Sequence, residues 1–298
     1  MAEFVKIVEV GPRDGLQSEA KQITAAEKVN LIRNLKDCGL VHIEAGAFVS
    51  AKAVPQMADS AYVMEGLEMM KDGLHLPVLV PNIQGYNSAI EAGATEVAVF
   101  ASASETFSKK NINCSIDESF KNFEKIFKQA AADKIRVRAY ISCIAGCPYE
   151  GDVSQEKVIE IAKKLIEMGA YEISLGDTIG VANPSLVKRL IFDLTASISV
   201  EKIAVHFHDT YGQALANIYA ALEIGVRIID SSVGGLGGCP YAPGSSGNVA
   251  TEDVVYLLDN LGYETGVDLK MLVRVGWYIN ELLGREKPLS KVSLALGR

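Results

Sequence analysis

In the run Lys202-Ile203-Ala204-Val205-His206-Phe207-His208, two of the chain's four histidines stand two residues apart. A strand repeats every two residues, so both imidazoles fall on one face and Ile203, Val205 and Phe207 on the other. About 6–7 Å apart along the backbone, they can converge on one cation. An isolated pair of this kind is more often two core histidines with satisfied hydrogen bonds. Asp209 beside it and its place at a strand end favour ligation. Arg13-Asp14 follows the first apolar run. Asp14 can supply an oxygen ligand, although an aspartate before Gly15 also suits a turn. The forked donors of Arg13 can polarise a carbonyl or hold an enolate, the plainer alternative being a surface ion pair. Two imidazoles with carboxylate and amide oxygens suit Mg²⁺ or Mn²⁺, without excluding Zn²⁺. Glu44 and Asp177 stand at or just past two further strand ends.

The segment Gly234-Gly235-Leu236-Gly237-Gly238-Cys239-Pro240-Tyr241 matches neither a Walker A loop nor a dinucleotide fingerprint. It reads as a flap, and its cysteine can act as proton donor or nucleophile if exposed and tuned. Taken alone, Cys239 is more often a packing residue. Cys143 and Cys147 are spaced by four, which suits no common metal knuckle.

These residues need a scaffold that brings strand ends together. A helix–glycine–strand junction recurs at Gly39, Gly93, Gly169 and Gly225, where glycine ends a helix without a Cβ penalty and an apolar run follows. Val158, Ile161, Ala162, Leu165 and Ile166 form one helical stripe, and Thr24-x-x-Glu27 and Ser115-x-x-Glu118 are capping boxes. Strands fall at about 4–10, 40–45, 76–81, 95–101, 135–143, 171–175, 202–208 and 227–232, each followed by a helical pattern. Eight such units without a composition break predict an α/β single domain over 1–298. It is a (β/α)8 TIM barrel over about 3–265 with an additional C-terminal helical segment over about 266–298. A doubly wound open sheet is the runner-up, opposed by Gly11-Pro12-Arg13-Asp14-Gly15 where a dinucleotide turn would stand.

Composition narrows the function further. Of 298 residues, 49% are hydrophobic and 22% charged, the balance of a globular chain that can bury a core. The 29 basic against 37 acidic residues leave a net charge of -8, which disfavours nucleic acid as partner. The five scattered cysteines suit free thiols in a reducing compartment. No stretch approaches the ~18 apolar residues of a membrane span, and the first residues carry no leader pattern. The expectation is therefore a cytoplasmic protein without a membrane partner.

Three motifs together resemble the 3-hydroxy-3-methylglutaryl-CoA (HMG-CoA) lyase family: Val8-Glu9-Val10-Gly11-Pro12-Arg13-Asp14-Gly15-Leu16-Gln17, His206-Phe207-His208-Asp209-Thr210-Tyr211-Gly212, and the cysteine loop. The first two are shared by a wider superfamily of metal-dependent aldol-type barrels, whereas the third is narrower. The resemblance implies a carbon–carbon lyase cleaving HMG-CoA to acetyl-CoA and acetoacetate, in leucine degradation and ketone-body metabolism. It implies a divalent cation held by Asp14, His206, His208 and Asn248, and substrate contacts from Arg13 and Gln17. Glu44 and Asp177 would support the polar network, and Cys239 would protonate the acetyl-CoA carbanion. The partner is an acyl-CoA ester, and the resemblance allows a homodimer. Two alternatives remain at this stage: a Claisen-type synthase joining acetyl-CoA to a 2-oxo acid, and a catalytically silent ligand-binding barrel. Gly46-Ala47 departs from the Thr-Ser many relatives carry after Glu-Ala.

Overall fold

A computed structural model describes residues 2–238 and 247–298. The strands are β1 (Lys6–Glu9), β2 (His42–Ile43), β3 (Gly46–Ala47), β4 (Val78–Leu79), β5 (Glu96–Ser102), β6 (Arg136–Ser142), β7 (Gly146–Cys147), β8 (Gly151–Asp152), β9 (Glu172–Asp177), β10 (Ile203–Phe207) and β11 (Ile228–Ser231). Strands β7 and β8 form a small antiparallel hairpin. The other nine make one sheet in the order β2-β1-β11-β10-β9-β6-β5-β4-β3, parallel throughout.

The two ends of that order are halves of one stave, parted at Glu44-Ala45. Glu44 N–H donates to Glu9 O at 2.9 Å on one side and Ala45 N–H to Pro77 O at 3.0 Å on the other. The nine strands therefore close as eight staves, the TIM barrel that the alternation implied.

The surrounding helices are α1 (Ala25–Asp37), α2 (Ser60–Leu67), α3 (Ile83–Glu91), α4 (Glu105–Ile112), α5 (Ile116–Asp133), α6 (Gln155–Glu167), α7 (Pro184–Thr195), α8 (Ala214–Glu223), α9 (Thr251–Leu261), α10 (Leu269–Leu282) and α11 (Lys291–Leu296). Both capping boxes form, at the starts of α1 and α5. Val158, Ile161, Ala162 and Leu165 bury the inner stripe of α6. All four junction glycines take positive φ, from +84° to +109°. None of the described helices is long and apolar enough to cross a membrane.

The main apolar core lies between strands and helices, and Ile203, Val205 and Phe207 of β10 belong to it. Inside the barrel the apolar content is small, a separate cluster of Val8, Val10, Ala204 and Ile228. Register sets Val8 and His206 abreast of Asp230, Arg138 abreast of Glu172, and Tyr140 abreast of Ser174. The inner faces of β6, β9, β10 and β11 are thus largely polar, and buried charges of this kind must pair.

The C-terminal helices are stapled to the barrel mouth by the first turn of α9. Glu252 accepts from Gly234 N–H at 3.0 and 2.9 Å and from Ser293 Oγ at 3.1 Å, while Asp253 accepts from Ser290 Oγ at 2.7 Å. Burial pushes Glu252 up to about 8, against the opposing hydrogen bonds. Its acid form is favoured in the folded chain, so stability is fullest below the ordinary glutamate range and falls as pH climbs toward 8. Glu252→Gln keeps an acceptor for Gly234 but removes the ionisation. Its melting temperature is expected to rise relative to wild type between pH 5 and pH 8, by an amount equivalent to roughly 2–4 kcal/mol at the upper end. A difference independent of pH would contradict this account.

Candidate active site

Chain geometry puts Arg13 and Asp14 at the mouth. β1 ends in a π-type turn, Gly11–Gly15, held by Glu9, whose carboxylate accepts from Gly11 N–H at 2.7 Å, Val233 N–H at 2.9 Å and Thr251 Oγ1 at 2.6 Å. One buried carboxylate thereby ties the turns after β1 and β11. Arg13 Nε donates to Glu44 Oε2 at 2.7 Å, and Nη2 lies 2.7 Å from the same oxygen. Its Nη1 donates to Asp14 Oδ1 at 2.8 Å and reaches Gln17 Oε1 at 3.5 Å. Burial works against the charge of Arg13, but Glu44 and Asp14 outweigh it and raise its pKa. Burial also raises Glu44, opposed by the guanidinium. The two-nitrogen contact is an ion pair.

Asp14 is the meeting point. Asn248 Nδ2 donates to its Oδ2 at 2.7 Å, Gln17 Nε2 to its Oδ1 at 3.3 Å, and His206 Nε2 lies 3.8 Å from Oδ2. Burial raises this carboxyl, but Arg13, His206 and the Asn248 amide prevail and draw it down to about 2. One potential ligand atom from each of Asp14, His206 and His208 lies within 4.8 Å of the others.

The donor chemistry of this trio fits a divalent cation. Asp14 is ionised, and burial with the neighbouring His206 draws His208 down to about 4, leaving its imidazole neutral with a free lone pair. Burial lowers His206 as well, yet Asp230 and Asp14 overcome it and raise its pKa. A cation would take the place of the proton on Nε2, beside Asp14, while Nδ1 keeps its own toward Asp230. Asn248 spends its NH₂ on Asp14 and on Leu236 O at 3.2 Å, which leaves its amide oxygen to ligate.

The shell beneath these residues is absent from the sequence reading. Asp230 Oδ2 lies 3.3 Å from His206 Nδ1 and accepts from Ser174 Oγ at 2.7 Å, while Arg138 donates from Nη1 to Oδ2 at 3.0 Å and from Nη2 to Oδ1 at 2.7 Å. Arg138 Nε donates to Glu172 at 2.6 Å. Its signal was available, since charges stand at Arg138, Glu172 and Asp230 inside otherwise apolar strands.

A cavity of about 530 Å³ opens over the group, lined by Arg13, Asp14, Gln17, Tyr140, His206 and His208 among others. Asp177 is not on its wall. Its oxygens accept from Val181 N–H at 3.1 Å and Ala182 N–H at 2.9 Å, so it tethers the loop after β9, and burial pushes it up to about 6 against those bonds. Gly46 lies on the second stave, where an added Cβ would meet Ser60 Oγ at 2.7 Å. A side chain at this position would require Ser60 to move. Cys239 lies outside the described residues.

A family model described as HMGL-like matches residues 4–279. The hydroxymethylglutaryl-CoA lyase of Macaca fascicularis is 54% identical over 98% of this chain and 89% of its own length. The crystal structure of hydroxymethylglutaryl-CoA lyase from Pseudomonas aeruginosa superposes with a TM-score of 0.95 at 51% identity, covering 99% of this chain and 98% of that one. An HMG-CoA lyase from A. baumannii, solved in complex with coenzyme A and 3-methylmalate, matches at TM-score 0.93 and 38% identity over 98% of this chain and 95% of that one. The macaque enzyme is named as mitochondrial, which overturns the cytoplasmic expectation. That expectation leaned on the lack of a leader pattern, and where a chain begins does not decide its compartment.

Proposed function

This chain belongs to the HMGL-like family, and from that membership we propose that it is a carbon–carbon lyase converting HMG-CoA to acetyl-CoA and acetoacetate. The observation that carries the reading is the grouping of Arg13, Asp14, His206 and His208 on one cavity wall, in a chain about half identical to HMG-CoA lyases over nearly its whole length. Neither the synthase nor the silent barrel has an observation in its favour.

Cleavage removes the proton of the 3-hydroxyl, breaks the C2–C3 bond and leaves its electron pair on an acetyl-CoA enolate, which takes a proton at carbon. A divalent cation, Mg²⁺ or Mn²⁺ by the donor set, would be held by Asp14, His206, His208 and Asn248 and would make the hydroxyl proton removable at neutral pH. Asp230 orients His206 by holding its Nδ1. Arg13 stays cationic and faces the developing enolate oxygen, with Glu44 fixing its plane. Gln17 steadies Asp14 and contacts substrate, Asp177 holds the loop carrying Thr178, and Cys239 supplies the final proton. The cavity of about 530 Å³ is in the usual range for a small-ligand site.

The test is direct. Purified chain with HMG-CoA and Mg²⁺ or Mn²⁺ is expected to release acetoacetate and acetyl-CoA one to one, and chelation with EDTA is expected to abolish turnover until cation is restored. No product with any divalent cation would remove the proposal.

A further inference from the structure

Tyr140 stands on the inner face of β6 and contributes to the cavity wall beside Arg13 and His206. Its ring is locked on three sides. The Cζ of Arg13 lies 5.6 Å from its centroid and that of Arg138 4.8 Å, and the His206 ring meets it edge-on at 6.1 Å and 86°. The residue is 7% exposed, and its hydroxyl is buried with no hydrogen-bond partner among the described residues. A buried unpaired hydroxyl costs folding free energy, and a phenylalanine of the same shape would avoid that cost.

The neighbouring guanidinium has few donors to spare. Its Nε–H is on Glu44, and Nη1 serves Asp14 and Gln17. Only the two N–H groups of Nη2 remain, and that nitrogen is already 2.7 Å from Glu44. An enolate oxygen is well stabilised by two fixed donors rather than one. A phenol is protonated at neutral pH and rotates only its O–H, so a ring held by three neighbours presents a donor that needs no reorganisation.

We propose that Tyr140 is a catalytic residue that donates its O–H to the thioester oxygen of the acyl-CoA substrate as that oxygen gains enolate charge, sharing it with Arg13. The inference rests on the lyase reading above and adds to it a second oxyanion donor. No bond to Tyr140 forms or breaks, and its proton remains on the phenol.

Tyr140→Phe isolates the hydroxyl, because ring, packing and cation contacts are retained. Its kcat for acetoacetate release is expected to fall by roughly 10²-fold, with KM changed by less than about threefold, since the contact strengthens as charge develops. Enzyme-catalysed exchange of the acetyl-CoA methyl protons with D₂O, which samples the enolate without C–C cleavage, is expected to fall by a similar factor. The melting temperature is expected to stay level or rise. Turnover within threefold of wild type, a loss confined to KM, or a loss of turnover with undiminished exchange would each overturn the assignment. Wild-type chain that releases no acetoacetate would instead overturn the lyase reading on which it rests.

Discussion

Arg13→Lys is expected to lower turnover by at least about 10³-fold while leaving the barrel folded. The guanidinium serves Glu44, Asp14 and Gln17 at once and still turns a face to the cavity. A lysine ammonium is a point charge with three donors on a flexible stem and cannot reproduce that planar fork. It can remain beside Glu44, which is fully buried and needs a cation, but then it reaches neither Asp14 nor substrate. Loss of one oxyanion donor alone is worth about 10²–10³-fold, and displacement of Asp14 adds to it. Arg13→Met removes the cation altogether and adds a folding cost to the chemical one. It leaves Glu44 without a partner and is expected to cost about 3–5 kcal/mol of stability as well. Steady-state acetoacetate release and thermal melts measure the two effects. Turnover of Arg13→Lys within tenfold of wild type would show that the fork is not needed.

How much of this site can be read from the chain depends on how local its geometry is. His206 and His208 share a face because a strand has a period of two, and no tertiary information is required. The capping boxes and the junction glycines are equally local, and all of them form. The break at Glu44-Ala45 is of another kind. It arises because the second stave pairs with β1 on one side and β4 on the other, at different levels.

Asp177 shows where position beside a strand end misleads. It lies abreast of Phe207, whose side chain belongs to the outer core, and alternation therefore carries it away from the cavity. Arg138, Glu172 and Asp230 are harder still. Buried parallel strands read as continuous apolar runs, and a charge inside one has no assigned partner until register places the strands. Parity alone puts Asp230 and Ile228 on one face, whereas the pairing of Asp230 with a residue ninety-two positions earlier in the chain comes only from closure of the barrel.

That hidden layer carries the other large effect. Asp230→Asn is expected to cost about 3–5 kcal/mol of stability and to lower turnover by roughly 10²–10⁴-fold. Arg138, 1% exposed, would keep only Glu172 as a charged partner among the described residues. At His206 the change is chemical. As a carboxylate, Asp230 can only accept, so the proton sits on Nδ1 and the Nε2 lone pair faces Asp14. An asparagine amide can donate to Nδ1 instead, moving the proton to Nε2 and blocking the atom that would ligate. The pH dependence follows with the same sign. Burial raises Asp230, but Arg138 and His206 dominate and hold its pKa well below the usual aspartate range. A depressed carboxyl stabilises the fold above its ordinary range and loses that contribution as pH falls through the folded value. Wild type is therefore expected to lose its stability margin over Asp230→Asn on acidification below about pH 4, and to keep it at pH 7. Arg138→Met with Asp230→Leu removes both charges and is expected to recover much of the stability but not the turnover, because the double variant still cannot fix the tautomer of His206. Recovery of both would show that Asp230 serves Arg138 alone.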